Sequence, residues 1–187
     1  TKYSVEEAKK MMVEGTVQVE GTVKIDNTNN IDNLIKNAKV LYKDGCLLRA
    51  DTMLSGEYFI DENTRVIAAA AFTDCKNLIS ITIPQNITII SCATFSGCKD
   101  CTSLTSVDIP NGVTTIGSNG FENCSALTFV DIPNSVTIFG PFTFANCSSL
   151  TSVNIPKGLK VIDPFIFLNC RSLDSIIIPY GVETIGI

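Results

Sequence analysis

The chain has 187 residues, of which 45% are hydrophobic and 18% charged, with a net charge of −5 and a pI near 4.7. That acidic balance argues against nucleic acid, whose phosphates call for a basic patch, and against a polybasic membrane anchor; no apolar run approaches the roughly 20 residues of a spanning helix. Histidine is absent, which removes His-based triads, His metal ligands and His pH switches together.

From the N-terminus, Ser4-x-x-Glu7 has the form of a capping box ahead of Val5, Ala8, Met11 and Met12, and predicts a helix that stops near Gly15. Thr1 opens straight into this polar helix, so no signal-peptide pattern is present, as expected of a mature, trimmed or intracellular chain. Val17/Val19 and Val23/Ile25 alternate around Glu20-Gly21 and predict a hairpin. Ile31 to Ala38 reads as a second short helix, and Val40 to Leu48 as two strands around Asp44-Gly45. Residues 1–40 are therefore expected to form an N-terminal cap of helix plus hairpin, covering the open end of whatever core follows.

Residues 41–187 repeat. Ile-Pro occurs at Ile83-Pro84, Ile109-Pro110, Ile132-Pro133, Ile155-Pro156 and Ile178-Pro179, spaced 26, 23, 23 and 23 residues apart. A Phe-x-x-Cys signature keeps step at Phe72/Cys75, Phe95/Cys98, Phe121/Cys124, Phe144/Cys147 and Phe167/Cys170. Self-similarity at this period predicts a stacked solenoid of about five to six coils, without a central pocket.

Within one unit, Leu104, Val107 and Ile109 read as inward residues of a short strand, with Ser106 and Asp108 outward. Pro110 lacks an N–H and stops the ladder, and Asn111-Gly112 turns the chain. Val113 and Ile116 point inward again, Gly117 opens another turn, and Phe121 and Cys124 plug the far side. Such a unit cannot bury its apolar face alone, so stability must come from stacking. With strands about 4.8 Å apart, five coils make a rod of about 25 Å.

The frame extends upstream through Ile60, Val66-Ile67 and Phe72. Downstream, Gly181, Val182, Ile185 and Gly186 begin a coil that lacks its Phe-x-x-Cys half. Either the natural chain continues or this is an uncapped edge, which invites self-association.

The unit resembles the BspA-type leucine-rich repeat, L-x-x-(I/V)-x-(I/L)-P-x-x-V-x-x-I-G-x-x-A-F-x-x-C-x-x-L. Leu104 to Leu127 fits with Gly120 in place of Ala. Leu127 to Leu150 fits with Phe139 for Ile and Thr143 for Ala, and Leu150 to Leu173 carries Asp163 where the pattern has Gly. The stretch Tyr42 to Leu48 resembles the hairpin that often precedes the first such repeat. The resemblance covers about residues 40–187 and implies an α/β-type, right-handed leucine-rich-repeat solenoid. It further implies a non-enzymatic protein of bacterial or protist cell surfaces that binds a protein or glycan partner, with no catalytic residues and no cofactor or metal.

Five of the eight cysteines (Cys75, Cys98, Cys124, Cys147, Cys170) share one repeat column. Such a column could be a metal or disulfide ladder. Parallel Cβ vectors disfavour disulfides, so buried free thiols are the reading adopted, which suits a reducing or anaerobic setting. Cys98-Lys99-Asp100-Cys101 sits in the single three-residue insertion, with Cys92 as a third thiol nearby. A C-x-x-C can be redox-active or bind zinc, but no second pair exists at zinc spacing, so a loop bulge is expected.

The outward strand positions are the expected contact surface. One column reads Thr82, Asp108, Asp131, Asn154, Ile177, and its neighbour Ser80, Ser106, Phe129, Ser152, Ser175. Phe129 stands out as an aromatic among serines, and Asp108 should stack over Asp131. The competing reading of this face is a polar wall that keeps the rod soluble. A second stripe, Ile89, Thr115, Ile138, Val161, Thr184, is expected either to be half-covered by loops or to mark a partner surface. Asn86-Ile87-Thr88, Asn123-Cys124-Ser125 and Asn146-Cys147-Ser148 match the glycan-acceptor pattern, but repeat geometry accounts for the latter two and no glycans are expected. The function expected is an adhesion-type interaction module, cell-surface or secreted. The alternative is a structural spacer rod, for which the thiol-rich composition also suits the cytoplasm.

Overall fold

The computed structural model describes residues 40–96 and 103–186, and the backbone of residues 17–19. The helices expected over 4–15 and 31–38, the strand at Val23/Ile25 and the Cys98-Lys99-Asp100-Cys101 bulge lie outside these residues. β1 (Val17–Val19) pairs antiparallel with β2 (Val40–Lys43), which pairs antiparallel with β3 (Cys46–Ala50). The β2–β3 turn is the expected Asp44-Gly45, both at positive φ (49° and 75°), a conformation Asp tolerates and Gly adopts freely.

From there the chain winds between two parallel ladders. The first aligns two paired groups: β4 (Ser55–Phe59), β6 (Asn77–Thr82) and β8 (Ser106–Asp108), then β10 (Phe129–Val130) and β12 (Ser152–Val153). The second aligns three paired groups: β3 with β5 (Val66–Ile67); β7 (Ile89–Ile90), β9 (Thr115–Ile116) and β11 (Ile138–Phe139); and β13 (Val161–Ile162) with β14 (Thr184–Ile185). Apart from a shift between Gly56 and Glu57, the parallel register is like over like: Ile81 faces Val107, Val130 faces Val153, Ile90 faces Ile116 and Phe139 faces Ile116. The coil begun at Gly181 is present, with Val161 paired to Thr184. The result is a β-solenoid of about six turns.

Pro84, Pro110, Pro133 and Pro156 each follow a first-ladder strand and start a tight turn, the carbonyl accepting from the residue three on: Ile87 N to Pro84 O, Val113 N to Pro110 O, Val136 N to Pro133 O, Leu159 N to Pro156 O, all 3.0–3.1 Å. Alternation then sorts the side chains. Leu78, Leu104, Leu127 and Leu150 are buried, as are Ile83, Ile109, Ile132 and Ile155. At the centre the five phenylalanines form a single file. Successive ring centroids from Phe72 through Phe95, Phe121 and Phe144 to Phe167 are 5.4, 5.1, 5.4 and 5.8 Å apart, with interplanar angles of 21°, 10°, 3° and 3°. The coil rise sets this spacing, which falls within the range favoured by offset ring stacking.

The α/β label needs correcting: among the described residues there is no helix. The third side of each coil is a run of turns, broken twice by residues in the left-handed region, four positions apart: Asn119 and Asn123, Phe142 and Asn146, Phe165 and Asn169. Inter-coil backbone bonds hold these turns, such as Phe121 N to Thr143 O (2.8 Å) and Asn146 N to Leu168 O (2.7 Å). A helix would direct those groups within its own coil, so the stacked turns replace it. At the last coil Phe167, Cys170, Leu173, Ile176 and Val182 are only partly buried, since among the described residues nothing lies beyond them.

Candidate interaction face and thiol column

The outer surface of the first ladder presents the expected columns. Ser106, Asp108, Phe129, Asp131, Ser152, Asn154, Ser175 and Ile177 are exposed, and Ser80 and Thr82 half-buried. Phe129 is 50% exposed although it sits in a strand whose next residue, Val130, is 1% exposed. Strand alternation forces that orientation.

The structure adds residues that the repeat pattern alone did not single out. Glu57 pairs with Ser80 and Phe59 with Thr82, so both columns begin one coil earlier, and Phe59 is 68% exposed. Counting back 23 residues from Thr82 would have found Phe59. Tyr180, fully exposed, occupies the position after the proline, where other coils carry Gln85, Asn111, Asn134 and Lys157.

Two grooves lie on this face. One of about 780 Å³ is lined by Phe129, Asn134, Ser152, Asn154, Lys157, Ile177 and Tyr180, among others. One of about 510 Å³ is lined by Phe59, Glu62, Thr82 and Gln85. The larger brings together Phe129 and Asn154; Thr82 lies at the smaller, and Ser106, Asp108 and Asp131 on the wall between. Asn154 also ties two coils together. Its amide donates to Ile132 O (2.6 Å) and accepts from Ile132 N (2.8 Å), bridging to the preceding coil beside Pro133. No basic side chain among the described residues pairs with Asp108 or Asp131, and no group of three potential metal ligands occurs among those residues.

The second ladder's stripe is about half-exposed at Ile89 (52%), Ile138 (56%) and Val161 (44%). It carries no charge in the column Ile89, Thr115, Ile138, Val161, Thr184.

The described cysteines Cys46, Cys75, Cys92, Cys124, Cys147 and Cys170 are free thiols. In the column, each Sγ donates to a carbonyl of an earlier coil: Cys75 to Asp51 (3.4 Å), Cys124 to Phe95 (3.6 Å), Cys147 to Phe121 (3.2 Å) and Cys170 to Phe144 (3.1 Å). In the last three coils the thiol thus satisfies the phenylalanine carbonyl at the turn. Burial pushes the thiols of Cys75 and Cys124 up from the ordinary 9.0 to about 12, and that of Cys170 to about 11. A neutral thiol of this kind is a poor nucleophile.

A folded-state value above the unfolded one means that each thiol stabilises the fold fully below pH 9, and loses that contribution as pH rises toward 12. The melting temperature is therefore expected to fall as pH rises above 9, and Cys124→Ser should make that fall shallower. In parallel, iodoacetamide at pH 8 should leave Cys124 and Cys147 unmodified until denaturant is added. Rapid alkylation of either in the native protein would contradict this assignment.

Beside the thiols runs an asparagine file. Asn146 Nδ2 donates to Asn123 Oδ1 (2.9 Å) and Asn169 Nδ2 to Asn146 Oδ1 (2.8 Å). The two glycan-acceptor patterns on this column thus have amides engaged in coil stacking. Asn86 is exposed, with Nδ2 donating to Glu62 O (3.3 Å).

No curated protein sequence matches the chain. Among solved structures, a leucine-rich repeat protein of Bacteroides ovatus is similar at 23% identity and a TM-score of 0.62, covering 93% of this chain and 55% of that one. One from Eubacterium ventriosum has 29% identity and a TM-score of 0.61, with coverage of 79% and 46%. The leucine-rich repeat protein of T. pallidum has 24% identity and a TM-score of 0.59, with coverage of 75% and 77%. This chain thus spans about half the length of the first two. Residues 65–187 match the BspA type leucine rich repeat region in six copies, and with the phenylalanine file and the paired ladders in place, the chain belongs to that family.

Proposed function

We propose that this chain is a non-enzymatic recognition module, displayed at a cell surface or secreted, that binds a protein or glycan through the outer face of the first ladder. The observation that carries it is Phe129: a half-exposed ring on a groove of about 780 Å³, in a column otherwise made of small or polar residues. Interfaces concentrate their energy in such aromatic anchors, and solenoids bind along extended faces. The surface location follows the family resemblance, and the same reading takes in the right-handed winding and a cap formed by residues 1–40.

The test is a binding screen on immobilised glycans and proteins, followed by the variant Phe129→Ala/Asp108→Asn. Binding of the ligand found should weaken about tenfold or more, with the melting temperature nearly unchanged because both side chains are exposed. Undiminished binding would exclude this face. The second reading, a spacer rod, draws support from the unbroken phenylalanine file, which stiffens the coil stack irrespective of any ligand.

A further inference from the structure

The face proposed above is not electrically neutral, and its charge selects among ligands. Along the three outward columns the charged residues are Glu57, Glu62, Asp108, Asp131 and Lys157. All are exposed, so the acids meet solvent instead of internal cations. Four acids thus line the wall from the Phe59 groove to the Phe129 groove, and one lysine stands at its far end. The second ladder's corresponding column, with no charge at all, shows that repeat geometry does not require acids at outward positions.

We infer, on the strength of the preceding reading, that the natural ligand of this face is an extended, Lys/Arg-rich segment of a protein partner, anchored by an apolar residue in the groove between Phe129 and Tyr180. Geometry and charge agree on this. The columns run along the coil axis, and six coils at about 4.8 Å give a track of about 29 Å, the length of about nine residues of extended chain. Basic side chains of the ligand meet Asp108 and Asp131, and guanidinium or ammonium groups also suit the exposed rings of Phe59 and Phe129. A neutral glycan would stack on the same rings but leave the acids unused.

The experiment uses the whole chain and three probes: a Lys/Arg-rich peptide of about ten residues with one central Phe, the same peptide with Glu at the basic positions, and maltoheptaose. Binding is read by calorimetry at about 50 and about 300 mM salt. The basic peptide should bind, weaken about tenfold at the higher salt, and weaken about tenfold in Asp108→Asn/Asp131→Asn and in Phe129→Ala. The acidic peptide should not bind. The inference is overturned if the basic peptide does not bind, if the acidic peptide binds equally, or if the two-Asn variant binds the basic peptide as well as the parent. Maltoheptaose binding that is lost in Phe129→Ala but untouched by the Asn variant would replace the protein ligand with a glycan and leave the face reading standing. Basic-peptide binding insensitive to both Phe129→Ala and the two-Asn variant would remove the face itself.

Discussion

Phe121→Ala is expected to destabilise the protein by about 3–5 kcal/mol, corresponding to a fall of about 10 °C in melting temperature for a chain of this size. The ring is fully buried, 5.1 Å from Phe95 on one side and 5.4 Å from Phe144 on the other. Its own backbone is tied to the next coil, with N donating to Thr143 O and the carbonyl accepting from the Cys147 thiol. The ladders fix the coil spacing, so the walls of the cavity cannot close. In a stack where each coil touches only its neighbours, a hole at Phe121 weakens two interfaces at once. Phe167 lies at the partly buried end of the file, and Phe167→Ala should cost less than half as much. Chemical denaturation of both variants decides the matter: equal losses would mean that the file does not hold the stack together.

The second large effect concerns a glycine whose role is spatial. A Cβ built on Gly140 would stand 2.6 Å from Ser118 Cα and 2.8 Å from the Gly117 carbonyl carbon, and closer still to Ser118 N. These are backbone atoms of the preceding coil, which cannot swing aside as a side chain can. Gly140 N also donates to Ile116 O at 2.8 Å, so retreat would break the ladder. Gly140→Ala is expected to cost about 3 kcal/mol through forced separation of two coils. Gly158 is the control: its Cβ would first meet the Thr137 methyl at 3.1 Å, and Gly158→Ala should cost under about 1 kcal/mol. Thermal melts that rank the two variants the other way would contradict the close coil approach at Gly140.

The repeat made the architecture readable because each inward position is sampled several times. Ile-Pro spacing, strand alternation at Ser106–Asp108 and the phenylalanine file all follow from one period, and the structure places them accordingly. What the period did not convey is what fills the third side. That side was covered only by the α/β-type fold that the resemblance implies. Its left-handed residues become evident only when the neighbouring coil supplies partners for the freed amides. Phe142 (φ 60°) and Phe165 (φ 65°) make the point: bulky residues are rare in that region, yet they occupy the column of Ala70, Ala93 and Asn119 and stack at 5.2 Å. Similarly, the cysteines could be read as buried thiols, but not as donors to the phenylalanine carbonyls, since that bond joins residues 26 positions apart, as in Cys147 to Phe121.

On the candidate face, Phe129 was legible as an aromatic interrupting a serine column. Phe59 lies at the regular 23-residue spacing from Thr82, but its coil carries Ile60-Asp61 in place of the Ile-Pro pair that marks the other strands. Tyr180 lies in a turn outside the alternation that identifies outward strand residues. Asn154 shows the limit of reading exposure as availability, because its amide is engaged by the Ile132 backbone.

In-register stacking of successive coils is tested most directly by ring-to-ring nuclear Overhauser contacts in protein carrying selectively labelled phenylalanine. The arrangement predicts a linear chain of cross-peaks, Phe72 to Phe95, Phe95 to Phe121, Phe121 to Phe144 and Phe144 to Phe167, with none that skip a coil. A missing internal link, or a strong contact between Phe95 and Phe144, would contradict it.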